Sequence, residues 1–177
     1  IFRDLINYNW PINYGNYYLT YYFSYFLPSA LIGKITSYRI ANIFLFIYSY
    51  ICIMSILYLI NRYLKKDSYC ALFLLIFFSG FDALCMLSDI FSFVQLEWWN
   101  GLFQYSSNTT SVYWVFNQVI PIWLLLSLII NSKDSKDILF LSALSFFYSP
   151  YATICLIPIM IYFFLKYSNH FLLLFPF

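Results

Sequence analysis

The chain has 177 residues, of which 63% are hydrophobic, 25% aromatic and only 9% charged, against the ~25% charged residues of a typical soluble domain. That composition excludes an ordinary water-soluble globular fold and points to a membrane protein. The net charge of +2, dispersed in short clusters, excludes a nucleic-acid-binding surface.

The charges separate apolar runs long enough to cross a bilayer, which takes ~20 helical residues, so loops can be read from them. Because the chain opens on Ile1 and stops within the apolar run FLLLFPF, it is expected to be a piece of a longer polytopic protein. Residues 1–39 are expected outside the bilayer. Within them RDLINYNWPINYGNYY, rich in Asn with Gly, Pro and Trp, reads as an ordered external loop rather than a helix. The segment at 16–34, NYYLTYYFSYFLPSALIGK, places Thr20, Ser24 and Pro28 at intervals of four. It also carries Tyr17, Tyr18, Tyr21, Tyr22 and Tyr25, whose rings suit the membrane interface. We expect a juxtamembrane helix lying in, or dipping into, the outer leaflet; a full span is the alternative.

Residues 40–60 are the clearest span and are followed by the basic turn NRYLKKD. Residues 68–88 form a second span and 115–130 a third, with 89–114 between them as an external re-entrant loop. The apolar run 138–166 is too long for one upright helix. Pro150 in YSPY removes an amide donor and restricts its predecessor, so two short helices broken near 148–151 are expected, one kinked helix being the alternative. The expected fold is therefore all-α: a polytopic transmembrane helix bundle with an external juxtamembrane helix. The positive-inside rule then puts Arg62, Lys65, Lys66, Lys133, Lys136 and Lys166 in the cytoplasm and leaves Arg3, Lys34 and Arg39 outside.

Few residues point to soluble-enzyme chemistry. Cys52, Cys70, Cys85 and Cys155 all lie in apolar segments without a C-x-x-C spacing and read as small buried hydrophobes rather than a zinc site or disulfide framework. His170 is the only histidine, and no nucleophile-elbow, P-loop or H-E-x-x-H motif is present. The acidic residues are more informative. Asp67, Asp134 and Asp137 sit beside lysines as solvated charges, whereas Asp4, Asp82, Asp89 and Glu97 all fall at the outer face. Asp82, late in an apolar helix, is costly unless paired or facing a wet cavity, and so is a functional candidate. Glu97 opens EWWNGLFQYSSNTT. Trp98 and Trp99 there fit an interfacial aromatic belt, but with Gln104 and Asn108 close by they also suit a polyhydroxylated ligand. A short helix over 97–105 would set Glu97, Gly101 and Gln104 on one face. NTT at 108–110 also fits a glycosylation sequon.

RDLINYNWP, FLPSALIGK, YRIANIFLF, FFSGFDAL, EWW and FQYSSNTT together resemble C-type (GT-C-like) membrane glycosyltransferases, most closely a group of large bacterial membrane proteins of that general type. The resemblance runs through most of residues 3–130. It implies an external-loop carboxylate acting in catalysis, a polyprenyl-phosphate-linked sugar as donor and a cell-envelope glycan as acceptor, at the outer face of a bacterial inner membrane. By position the catalytic role falls to Asp4, with Asp82 and Glu97 as further candidates; an acidic residue upstream of Ile1 is the alternative. Transfer from a polyprenyl phosphate needs a carboxylate near the acceptor hydroxyl and a cation for the departing phosphate, which suits Lys34 and Arg39. Asp89, Trp98, Trp99, Gln104 and Asn108 would contact the sugar. A divalent cation held by Asp4 with Asp82 or Glu97 is compatible with this set but not required by it. A non-enzymatic transporter or envelope-assembly component is the alternative, disfavoured by the scarcity of polar residues along 40–60.

Overall fold

In the computed structural model, which describes residues 1–20, 22–65, 69, 73, 75 and 107–167, the regular elements are helices. The only β-type pairing among the described residues is an isolated bridge between Asn13 and Tyr18. These residues agree with the all-α expectation. Apart from residues 69, 73 and 75, the expected span at 68–88 lies outside them, as does the re-entrant stretch before residue 107.

The segment read as loop from Arg3 onward in fact begins as a helix, α1 (Phe2–Asn7). Phe2, Leu5 and Ile6 recur at i, i+3 and i+4 and give it one apolar face; Leu5 is only 2% exposed, and the other two pack on the same core. Asp4 lies in its first turn, where a carboxylate complements the positive end of the helix dipole. Six residues are too few to be helical alone, so tertiary packing holds α1.

The 16–34 segment is helical only in its second half, a correction to the expected continuous helix. A 3-10 turn, Ser24–Phe26, leads into α2 (Leu27–Ile35), with Pro28 in the first turn, where a missing amide proton costs nothing. Upstream the chain folds on itself: Tyr14 N–H donates to Tyr17 O at 2.8 Å and Leu19 N–H to Ile12 O at 3.0 Å, around Gly15 at φ 79°. Those bonds satisfy the backbone outside a helix, in a Tyr-rich stretch that favours extended conformations. Thr20 therefore precedes the helix, and no Thr20–Ser24–Pro28 stripe forms along one.

Among the described residues two helices are long and apolar enough to cross a membrane, α3 (Tyr38–Leu64) and α4 (Asn108–Asn131). Ser37 caps α3, its hydroxyl accepting from Ile40 N–H at 3.4 Å, and Lys65 ends it in the left-handed conformation at φ 53°. The 27 residues of α3 span ~40 Å, covering the expected 40–60 and a turn beyond. Only 22% of its most apolar window is buried, so most of that apolar surface is left for lipid or for chain outside the described residues. α4 starts seven residues before the expected 115, because Ser107 caps it by accepting from Thr110 N–H at 3.1 Å. Residues 108–114 are thus helical rather than loop. Val115, at φ −131° and ψ 34°, kinks α4 where the span was expected to begin.

The run 138–166 forms two helices, α5 (Ser135–Tyr148) and α6 (Pro150–Tyr167). Ser149 serves both: its N–H donates to Ser145 O at 3.0 Å, closing α5, while its hydroxyl accepts from Ala152 N–H at 3.3 Å and opens α6. The two helices fold back on each other, for Ser145 and Thr153, four residues either side of Ser149, have hydroxyls 2.8 Å apart. The buried face of α5 is Ile138, Ser142, Ser145 and Ser149, a stripe of small residues at intervals of four, three and four that allows close helix approach. Each of the first two serines returns its hydroxyl to a helix carbonyl, Ser142 to Ile138 O and Ser145 to Ser142 O, both at 2.6 Å. Cys155, expected to be buried, is exposed on α6, whereas Cys52 is buried in α3; the apolar run has an outward face because α6 packs only one side on α4 and α5.

α3 and α4 run in the same direction. Asn131, ending α4, donates to Leu59 O at 3.0 Å near the end of α3, and Phe116 near the start of α4 packs on Tyr25 and Phe26. The 3-10 turn reaches well down α3: Tyr25 donates to Ser49 Oγ at 2.9 Å, eleven residues beyond Tyr38 and so ~16 Å along the axis. There it meets the tip of the α5–α6 hairpin, Ser24 donating to Phe147 O at 2.7 Å, while Asn117 of α4 donates to Tyr22 O at 2.9 Å.

Candidate functional site

Of the candidate residues, Asp4, Lys34, Arg39 and Asn108 fall within the described structure. Asp82, Asp89, Glu97, Trp98, Trp99 and Gln104 lie outside it, and with them the expected 97–105 helix and any cation shared with Asp4.

Asp4, Lys34 and the residues around them form an N-terminal cap. α1 presents Asp4 on its first turn while Leu5 and Ile12, 2% and 4% exposed, anchor the two halves of the cap in the core. Trp10 ties them, donating from Nε1 to Leu5 O at 2.8 Å. The turn at Gly15 then brings Tyr14 back over α1, where its hydroxyl donates to Asp4 Oδ2 at 2.8 Å.

The hydrogen bond from Tyr14 is the main reason the Asp4 carboxyl is held below its ordinary value of 3.8; the charge of Arg3 acts in the same direction. Donating to a carboxylate pushes Tyr14 upward from 10.0. Asp4 is therefore ionised throughout the neutral range. Its side chain is 34% exposed, and with Tyr14 on Oδ2 the other oxygen is left to meet a hydroxyl or a cation.

Lys34 closes the cap from α2. Its Nζ donates to Tyr8 O at 2.6 Å and stands 5.1 Å from the centre of the Trp10 ring, a cation–π contact. The expected phosphate ligand is thus also a structural tie, with one of its three protons committed. Arg39 is exposed in the first turn of α3 and has no ion-pair partner among the described residues. A cation at the positive end of a helix dipole is unfavourable by itself, which leaves Arg39 suited to an external anion. Asn108 stands apart from the cap: its Nδ2 donates to Leu75 O at 2.9 Å in the first turn of α4. That bond occupies the nitrogen a sequon would have to offer.

Sequence reasoning missed Tyr14 and the hairpin serines. The NYGN stretch was a turn signal that returns Tyr14 toward α1, and Ser142, Ser145 and Ser149 had the small-residue spacing of close-packed membrane helices. No protein-family model matches the chain, and neither does any curated protein or solved structure.

Proposed function

We propose that this chain is part of a polytopic integral membrane glycosyltransferase of C-type architecture, embedded in a bacterial inner membrane. It would move a sugar from a polyprenyl-phosphate donor to a cell-envelope glycan at the outer face. The observation that carries the reading is the Asp4–Tyr14 pair: a partly exposed carboxylate, fixed in position and kept ionised, on the cap that precedes the first long apolar helix.

A carboxylate held below its usual range is a weak base, and ideal general bases titrate near the working pH. Glycosyl transfer from a phosphate tolerates that weakness. The leaving group departs without protonation, the sugar passes through an oxocarbenium-like state, and the acceptor hydroxyl becomes acidic only as its oxygen bonds to carbon. Asp4 then has to orient the hydroxyl and take its proton late. Arg39 and Lys34 would balance the phosphate charge as it develops.

The transporter reading requires polar groups free to line a path. Those at mid-bundle are instead engaged within the chain, Asn117 with Tyr22 O and Ser145 with Thr153, which favours the enzyme. The test uses the full-length protein in a strain lacking its own copy, with envelope glycans profiled by mass spectrometry. Asp4→Asn should leave the protein in the membrane but fail to restore the missing sugar, and Tyr14→Phe should restore it partially. Full restoration by Asp4→Asn would refute the assignment.

A further inference from the structure

We propose a lipid-headgroup site at the opposite end of the bundle from Asp4: the cavity between the C-terminal ends of α3 and α4 and the first turn of α5 binds a phospholipid bearing a primary amine. The inference rests on α3 and α4 crossing a membrane and is independent of the transfer reaction.

The cavity measures about 290 Å³ and has Arg62, Asn131, Ser132 and Asp137 on its wall together with Leu59 and Phe140. That volume lies at the small end of ligand clefts and suits a headgroup rather than a whole lipid. Arg62 and Asp137 share this wall without forming an ion pair with each other. Two opposite charges kept apart across a cavity match a zwitterion lying between them. Arg62 supplies donors for a phosphate.

The ammonium end has its own acceptors. Asn131, on the cavity wall, spends its Nδ2 on Leu59 O and Ser127 O, at 3.0 and 2.8 Å, leaving Oδ1 with no partner among the described residues. Asp137 receives only a 3.5 Å contact from Ser132 Oγ. The C-terminal carbonyls of α3 and α4, the negative ends of two helix dipoles, favour a cation at the same place. Leu59 and Phe140 continue the wall toward the apolar lengths of the helices, the direction acyl chains would take. A primary ammonium can donate to Asp137 and Asn131. A choline headgroup cannot donate and a glycerol headgroup has no charge to offer, so the set discriminates among the three.

Native mass spectrometry of the purified full-length protein tests this by competing phosphatidylethanolamine against phosphatidylglycerol and phosphatidylcholine of identical chains. Retention of the ethanolamine lipid should be higher by roughly tenfold, the weight of one hydrogen bond to a charged group. Asp137→Asn should remove that preference while retention of the other two persists, Arg62→Gln should lower retention of all three, and Lys133→Gln, off the cavity wall, should change nothing. Equal retention of the three lipids by the unaltered protein overturns the proposal without recourse to variants, as does an undiminished preference in folded Asp137→Asn. Glycerophosphoethanolamine without acyl chains displacing the lipid at equal concentration would assign the cavity to a soluble ligand and overturn it too.

Discussion

Replacing Gly33 with alanine adds one methyl group where α1, α2 and α3 meet. The new carbon would lie 2.7 and 2.8 Å from Cδ1 and Cγ1 of Ile6 and 2.9 Å from Cβ of Ala41. Carbon atoms rest at ~3.5–4.0 Å, so the neighbours must retreat by roughly 0.6–1.3 Å. Ile6 can rotate part of its side chain away. Ala41 Cβ is fixed to the backbone of α3 and can yield only if the helices separate. Overpacking of this kind costs about 1–3 kcal/mol, and alanine recovers about 1 kcal/mol over glycine in helix propensity, leaving a net loss of about 0–2 kcal/mol. The decisive quantity is therefore the coupling with Ile6. In an Ile6→Ala background the two shortest contacts disappear, so Gly33→Ala should be less destabilising there by about 0.5–3 kcal/mol, read as a smaller drop in Tm. Thermal unfolding of the four full-length proteins in one detergent, at one scan rate, measures the cycle. If Gly33→Ala shifts Tm equally in both backgrounds, the helices are not in contact through Gly33 as described, and the placement of Asp4 on α1 loses its support.

The Asp4–Tyr14 bond makes a signed pH prediction. The depressed Asp4 contributes stability above 3.8 that is lost as pH falls through its lower folded value, and the raised Tyr14 contributes stability below 10.0 that is lost as pH rises through its higher one. Tyr14→Phe should lessen the loss of stability on the acid side; acid limbs that stay parallel in wild type and variant would remove the bond from the account. Ser145→Leu inserts a large side chain between α5 and α6, where the hydroxyl now meets Thr153 at 2.8 Å, and should lower stability by about 1–3 kcal/mol. Ser145→Ala, which keeps the close approach, should cost no more than ~1 kcal/mol; equal losses for both would mean the hairpin does not pack through this stripe. In a protein lacking native cysteines, Cys placed at Ser132 and at Lys65 should react with an impermeant reagent from the same side of the membrane, and Cys at Thr36 from the other. Labelling of Thr36→Cys and Ser132→Cys from one side would reverse the reading of α3 and α4 as parallel spans.

Hydropathy along the chain located α3, the part of α4 from residue 115 onward and the hairpin break. Runs such as 40–60 have no polar periodicity to place elsewhere, Pro150 cannot continue a helix that began before it, and the polar and charged clusters leave few alternatives for the loops. Asp4 is singled out only through the family resemblance, by its position in the first external loop. What the sequence could not supply was every feature depending on residues far apart in the chain. Residues 2–7 are too short a helix to announce themselves and form because Leu5 and Ile6 find α2. The Tyr-rich half of 16–34 has the spacing of a helix yet turns at Gly15, because bonds from Tyr14 to Tyr17 and from Leu19 to Ile12 satisfy its backbone another way. The hydroxyl that binds and lowers the Asp4 carboxyl comes from ten residues away, and Arg62 and Asp137 line one cavity across 75 positions of sequence. Local propensity and hydropathy act within a few residues and are legible in one dimension. Side-chain pairing, the depth to which the 3-10 turn descends along α3, and the meeting of that turn with the hairpin tip are set by packing, which only the tertiary structure decides.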